Sequence, residues 1–176
     1  MYTNEEKAIN FVFKAFEGKR RNNEDINASF HSICVGYMLK DLGCETDIIL
    51  TGFLHDVIED TNFIVCNFGK TIADNVLKVS EDTTITDWKS RKIEYIERLK
   101  TYDKDIIIVV LADKLHNLVS DYSLYKLKGK EALETSIRTY DANKWYYLTM
   151  QEIFNEKLEQ NELLTRYNNI IEEYFN

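Results

Sequence analysis

The segment Leu54-His-Asp-Val-Ile-Glu-Asp-Thr61 is the part of this sequence best suited to chemistry, because an apolar run turns acidic around a single histidine. His55 and Glu59 are an i,i+4 pair, as are Asp56 and Asp60, while Asp56 and Glu59 are i,i+3. On a helix these four groups occupy adjoining strips of one surface. Three carboxylates held that close invite a cation. At a helix C-terminus they also oppose the peptide dipoles, so the arrangement calls for a compensating positive charge. A solvated acidic helix end is the plainer reading of this segment taken alone. Two further patches shift the balance. His31 shares the face His31, Val35, Met38 and Leu42 of the preceding helix, and Leu111-Ala-Asp-Lys-Leu-His-Asn-Leu118 sets Asp113 beside an apolar stripe of a later one. Singly, each would be a hydrogen-bonded core histidine or a solvated aspartate. Together His31, His55, Asp56 and Asp113 offer two imidazoles and two carboxylates from three helices, with no thiolate. That donor set suits manganese, iron or zinc and leaves positions for water and substrate oxygens.

Helices must carry these residues. Thr3-x-x-Glu6 is a capping box ahead of an amphipathic run through Phe16, with a stop near Gly18. A second helix is expected from about residue 27 to 42, ended by Gly43 in a left-handed C-cap, and a third from about 46 to 60. A short helical turn should follow Thr61. Further helices fit 69–79, 86–101, 103–120, 129–156 and 160–175. Ile106-Ile-Ile-Val-Val110 could form a buried strand, but Ile107, Val110, Leu111, Lys114, Leu115 and Leu118 keep helical spacing. The fold class expected is therefore all-α, a helical bundle. The C-terminal 30 residues read as amphipathic helix, able to complete the core or to form a homodimer contact.

The whole chain sets the bounds. Its 176 residues, without proline, repeat or low-complexity tract, fit one domain over 1–176. Cys34, Cys44 and Cys66 are odd in number, lack C-x-x-C spacing and lie in apolar patterns, as reduced buried thiols of the cytoplasm do. No leader pattern or long apolar span is visible, so a soluble protein away from membranes is expected. A net charge of −8 disfavours nucleic-acid binding, which needs clustered Lys and Arg. An anionic substrate would need a local basic patch, and Lys19-Arg20-Arg21 supplies one shortly before His31.

The ordered elements His31, His55-Asp-Val-Ile-Glu-Asp-Thr61, Asn67-Phe-Gly69 with Val79-Ser-Glu-Asp82, and Leu111-Ala-Asp-Lys-Leu-His-Asn117 resemble the HD superfamily. Within it the likeness is to the hydrolase domain of the RelA/SpoT enzymes and to stand-alone small alarmone hydrolases that degrade (p)ppGpp. It runs from about Phe11 to Asn117, and weakly to Trp145. The resemblance implies an HD-type helical bundle in which His31, His55, Asp56 and Asp113 bind one manganese ion, and Glu59 and Asp60 carry the catalysis. A divalent cation in such a site lowers the pKa of a bound water and polarises a phosphoryl oxygen, while Asp60 or Glu59 orients and deprotonates that water.

The same resemblance makes Arg20 and Arg21 phosphate or base contacts and gives Asn117 the place of a residue that touches the nucleotide sugar. Lys114 and His116 are adjacent candidates, and Tyr146, in Lys144-Trp-Tyr-Tyr147, is the tyrosine expected near substrate. For each of these a solvated or core-packed role is the plainer alternative. Where the family usually has Tyr-Ile-x-His-Pro, this chain has Asn27-Ala-Ser-Phe-His31-Ser. The function implied is a (p)ppGpp 3′-pyrophosphohydrolase with a small nucleotide substrate and no synthetase domain. The alternatives are an HD hydrolase of another nucleotide, such as a nucleotidase or dinucleotide-cofactor phosphatase, and a non-catalytic nucleotide-binding HD sensor.

Overall fold

A computed structural model describes residues 2–21, 25–61, 65–134 and 139–175. Its contacts gather into two compact units, Met1–Ser80 and Glu81–Asn176. The first holds α1 (Asn4–Ala15), α2 (Ser29–Asp41), α3 (Thr46–Leu54), α4 (Val57–Asp60), a 3₁₀ turn (Val65–Phe68) and α5 (Lys70–Val79). The second holds α6 (Trp88–Leu99), α7 (Lys104–Lys128), a 3₁₀ turn (Lys130–Leu133), α8 (Tyr140–Lys157) and α9 (Glu162–Phe175). Among the described residues there is no sheet; Arg20 and Asn27 form an isolated antiparallel bridge. The all-α class read from periodicity is what the chain adopts, and Ile106–Val110 is helical, inside α7.

Local chemistry sets the helix ends in the first unit. Thr3 Oγ1 accepts from the Glu6 N–H at 3.1 Å and Glu6 Oε2 accepts from the Thr3 N–H at 2.7 Å, completing the capping box. Asn27 joins α1 to α2: its Nδ2 donates to the Phe16 carbonyl at 3.2 Å and its Oδ1 accepts from the Ser29 N–H at 2.9 Å. That link fixes where α2 starts, two residues before His31. At the other end Gly43 has φ 80, and the Gly43 and Cys44 N–H groups bond the Lys40 and Leu39 carbonyls. This is the paired closure that favours glycine.

The close approach of α2 and α3 governs this unit. A Cβ built on Gly36 would stand 2.2 Å from the Phe53 ring, and one on Gly52 would stand 3.3 Å from the Gly36 Cα. The two helices therefore meet nearly backbone to backbone, over a buried layer of Val35, Leu39, Ile49, Phe53 and Leu54. This contact places His31, just upstream of Gly36, against His55, just downstream of Gly52.

Several expectations need correction. The helix foreseen over 46–60 is two helices, because Asp56 has ψ −7 instead of a helical value near −42. The Gly52 carbonyl, which an unbroken helix would offer to the Asp56 N–H, accepts from His55 Nδ1 at 2.8 Å. α7 runs on to Lys128, where Gly129 at φ 80 stops it, so the helix foreseen over 129–156 reduces to a 3₁₀ turn and α8. Residues 135–138 of that stretch lie outside the described residues. The cysteines are not buried thiols: Cys34 and Cys44 are half-buried and Cys66 is exposed. Cys66 lies in the 3₁₀ turn, too short to bury every side chain.

In the second unit α7, α8 and α9 pack together, and α9 buries Leu163, Leu164, Tyr167, Ile171, Tyr174 and Phe175. Completing the core is thus the role its amphipathic face performs. At the head of this unit Glu81, with its side chain 7% exposed, accepts from Lys92 Nζ and from Arg91 Nε, the latter at 3.1 Å, and Lys114 Nζ stands 3.9 Å away. Burial pushes the Glu81 carboxyl up, but the Lys92 and Lys114 charges and the bonds from Lys92 and Arg91 outweigh it and hold the group below its usual value.

Two outcomes follow from this packing. Gly36→Ala should lower stability by about 1–3 kcal/mol in urea unfolding, since the ring clash outweighs the helix-propensity gain of about 1 kcal/mol. The Glu81 cluster should stabilise the fold fully above the ordinary carboxyl value of 4.5, and lose that contribution as pH falls below it, because the folded carboxyl is the harder one to protonate. Glu81→Gln should therefore cost about 3 kcal/mol at neutral pH and much less in strong acid, in paired unfolding curves.

Candidate metal centre

His31 lies in the first turns of α2, His55 at the junction of α3 and α4, and Asp56 at the start of α4. Both histidines are buried and Asp56 is half-buried. The His31 and His55 Nε2 atoms are 3.1 Å apart, Asp56 Oδ1 is 3.0 Å from His55 Nε2, and Asp56 Oδ2 is 3.4 Å from His31 Nε2. The ring planes cross at 71°.

The protonation of His55 decides what this trio can do. A carbonyl oxygen cannot donate, so the bond to the Gly52 carbonyl places a proton on Nδ1. In its neutral form the ring turns its Nε2 lone pair toward both His31 Nε2 and the Asp56 carboxylate. A cation between them would meet all three groups. The spacing fits a small one. Bonds of roughly 2.0–2.2 Å at angles of about 90–110° set neighbouring donor atoms roughly 2.8–3.6 Å apart. The three separations of 3.0, 3.1 and 3.4 Å fall in that range. The trio is a group able to hold a metal ion, with an outer hydrogen bond orienting one of its imidazoles.

Glu59 and Asp60 follow on the single turn of α4, Glu59 half-buried and Asp60 exposed. The turn closes through Thr61 Oγ1, which donates to the Val57 carbonyl at 2.6 Å. Lys19 Nζ donates to the Asp60 carbonyl. Arg20 is exposed and pairs with Asp25, while the half-buried Arg21 bonds the Ile26 carbonyl through its N–H at 3.0 Å. Burial pushes the Cys34 thiol up, and the Arg21 charge works against that shift.

Asp113 belongs to the second unit, buried on α7. Its Oδ1 accepts from Asn117 Nδ2 at 2.6 Å and its Oδ2 faces Lys114 Nζ at 2.7 Å. Burial works against the Lys114 charge, but the electrostatic pull of Asp113, Tyr146, Tyr95 and Glu81 together outweighs it, so the ammonium stays charged well above the usual lysine range. Asn117 and Lys114 are thus the groups that orient Asp113, a part that sequence reasoning did not give them. Tyr146 is buried, with Lys92 Nζ 4.7 Å and Lys114 Nζ 6.0 Å from its ring centre and Trp88 edge-on at 6.1 Å. Gly36 and Gly52 were not foreseen as contributors, while Lys19 was read only as part of the basic run before His31 and Glu81 only within the Val79–Asp82 element. Gly36 and Gly52 each carried a signal, a glycine inside a helical pattern.

The HD domain family matches residues 8–138, a stretch that takes in His31, His55-Asp56 and Asp113. The chain belongs to the HD domain family. Among relatives of this HD protein, a chloroplastic protein of Arabidopsis thaliana, RSH1, named for GTP diphosphokinase activity, is 34% identical over 131 residues, covering 64% of this chain and 15% of its own length. The guanosine-3′,5′-bis(diphosphate) 3′-pyrophosphohydrolase of Borreliella burgdorferi is 31% identical over 119 residues, covering 62% of this chain and 18% of its own length. The chain thus spans under a fifth of each of these curated relatives. A solved structure described as a metazoan ortholog of SpoT that hydrolyzes ppGpp and plays a role in starvation responses is similar at TM-score 0.77 and 21% identity, over 98% of this chain and 97% of that one. That likeness establishes the helical HD fold. No helix among the described residues is long and apolar enough to cross a membrane.

If the trio holds a cation, saturating manganese should raise the thermal midpoint relative to chelated protein. At about a hundred times Kd the gain is roughly 2.7 kcal/mol. His55→Ala and Asp56→Ala should each abolish the increment, read in melting curves with and without chelator.

Proposed function

We propose that this chain is a metal-dependent phosphohydrolase that removes the 3′-pyrophosphate of (p)ppGpp. The observation that carries this reading is the convergence of His31, His55 and Asp56 immediately before the Glu59-Asp60 pair. The Borreliella relative named for that reaction supports the choice of substrate. His31, His55, Asp56 and Asp113 would hold one divalent cation, manganese in the first instance. The clamping of Asp113 by Lys114 and Asn117 suits a ligand whose orientation must not drift. When bound, the cation supplies a more acidic water and polarisation of the phosphoryl oxygen.

The chain's own residues do the rest. His55 keeps its proton on Nδ1 against the Gly52 carbonyl and presents Nε2 inward. Asp60, exposed at the end of α4, would take a proton from the attacking water, and Glu59 beside it would hold that water in line. Arg20 and Arg21, on the loop that leads into α2, offer guanidinium groups to phosphate oxygens that the acidic turn would otherwise repel. Asn117 and Lys114, which bond Asp113, and Tyr146, whose ring lies near Lys114, would contact the nucleotide. The HD match from 8 to 138 runs through both compact units, which supports reading 1–176 as one domain. The three cysteines suit a reducing, cytoplasmic setting.

The test is pyrophosphate release from ppGpp with and without manganese, beside Asp60→Asn. Release should depend on manganese and fall by roughly 10²–10⁴-fold in the variant, while metal content stays at the wild-type level. Activity confined to another nucleotide would discard the alarmone assignment, and wild-type turnover in Asp60→Asn would remove that residue's role.

A further inference from the structure

The turn that closes α4 carries a charge problem. Glu59 and Asp60 stand on a one-turn helix, and there two carboxylates meet the negative end of the peptide dipoles. Lys19 brings a positive charge to this place: its Nζ donates to the Asp60 carbonyl oxygen. The backbone of Lys19 is itself held on two sides. Its N–H donates to the Phe16 carbonyl and its carbonyl accepts from the Ala28 N–H, each at 3.0 Å. It therefore stands at the root of the loop that carries Arg20 and Arg21, a loop drawn together by the Arg21 N–H bond to the Ile26 carbonyl and the bridge between Arg20 and Asn27. Thr61 Oγ1 secures the Val57 carbonyl one turn back, and the Lys19 bond reaches the end of the turn from a segment 41 residues away.

We propose that Lys19 is a positioning residue for the Glu59–Asp60 pair, tying the root of the basic loop to the end of α4 and setting a positive charge against the acidic turn. The inference rests on the function proposed above only for its kinetic consequence. Lys19 touches neither substrate nor metal in this scheme; it sets where Asp60 stands and links that place to the arginine loop.

The experiment compares wild type, Lys19→Met, which keeps the aliphatic stem, and Lys19→Arg, which keeps the charge and a donor. Amide hydrogen exchange over 57–61 and the kinetics of manganese-dependent ppGpp hydrolysis are read together with manganese content. Lys19→Met should speed exchange over 57–61 by roughly tenfold while α1 is unchanged, as loss of a charged hydrogen bond implies. It should lower kcat by roughly ten- to a hundredfold with KM within about twofold and manganese content at the wild-type level. Lys19→Arg should restore most of both effects. Wild-type exchange over 57–61 in Lys19→Met overturns the proposal, as does faster exchange with wild-type kcat, or a loss confined to KM. If the wild type leaves ppGpp intact, the proposed function fails by itself and the exchange arm alone decides whether Lys19 anchors the turn.

Discussion

The crossing of α2 and α3 at Gly36 and Gly52 is the contact on which the candidate site depends. A methyl at Gly36 would collide with Phe53, so the absence of side chains there is what lets the two helices meet backbone to backbone. Their separation at the crossing fixes their separation a turn or so away, where one helix presents His31 and the other ends in His55. The approach of the two imidazole nitrogens to 3.1 Å depends on that packing. Interiors are close-packed and resist small displacements, so a spacing set in this way is stiff, as metal coordination needs.

The break after Leu54 completes the arrangement. A helix continued through Asp60 would keep the Gly52 carbonyl for its own ladder. The chain instead gives that carbonyl to His55 Nδ1, which turns the Nε2 lone pair inward, and restarts as a single turn at Val57. The irregularity costs some backbone regularity and secures one tautomer of one histidine. Strand-free and mostly regular elsewhere among its described residues, the chain departs from helical regularity where chemistry is expected of it.

Charge is managed locally in both units. An acidic turn in the first unit is met by Lys19, and a buried glutamate in the second by Lys92, Arg91 and Lys114. With a formal charge of −8 the protein has no basic surplus to spend at large, so each cation that reaches a carboxylate from a distance is informative. Asp113 shows the same economy: one oxygen goes to Asn117 and the other to Lys114, both from its own helix.

Much was legible in the residues themselves. Period 3.6 patterns, the Thr3–Glu6 capping box and Gly43 announced helices and where they end, because those signals act within a few residues of one another. The His-Asp-x-x-Glu-Asp-Thr and Ala-Asp-Lys-Leu-x-Asn blocks pointed to a cation site by residue type, and to the HD family by resemblance. The tertiary structure decided what spacing along the chain cannot hold. It broke the helix at Asp56 through a side-chain bond to a backbone carbonyl, and it let Gly36 and Gly52 act as a contact instead of as weak points in two helices. It also gave Lys114 and Asn117 to Asp113, and set Lys19 against a turn 41 residues away. Local hydrogen bonding and periodicity are written in neighbouring residues; close approach and charge compensation exist only once distant segments meet.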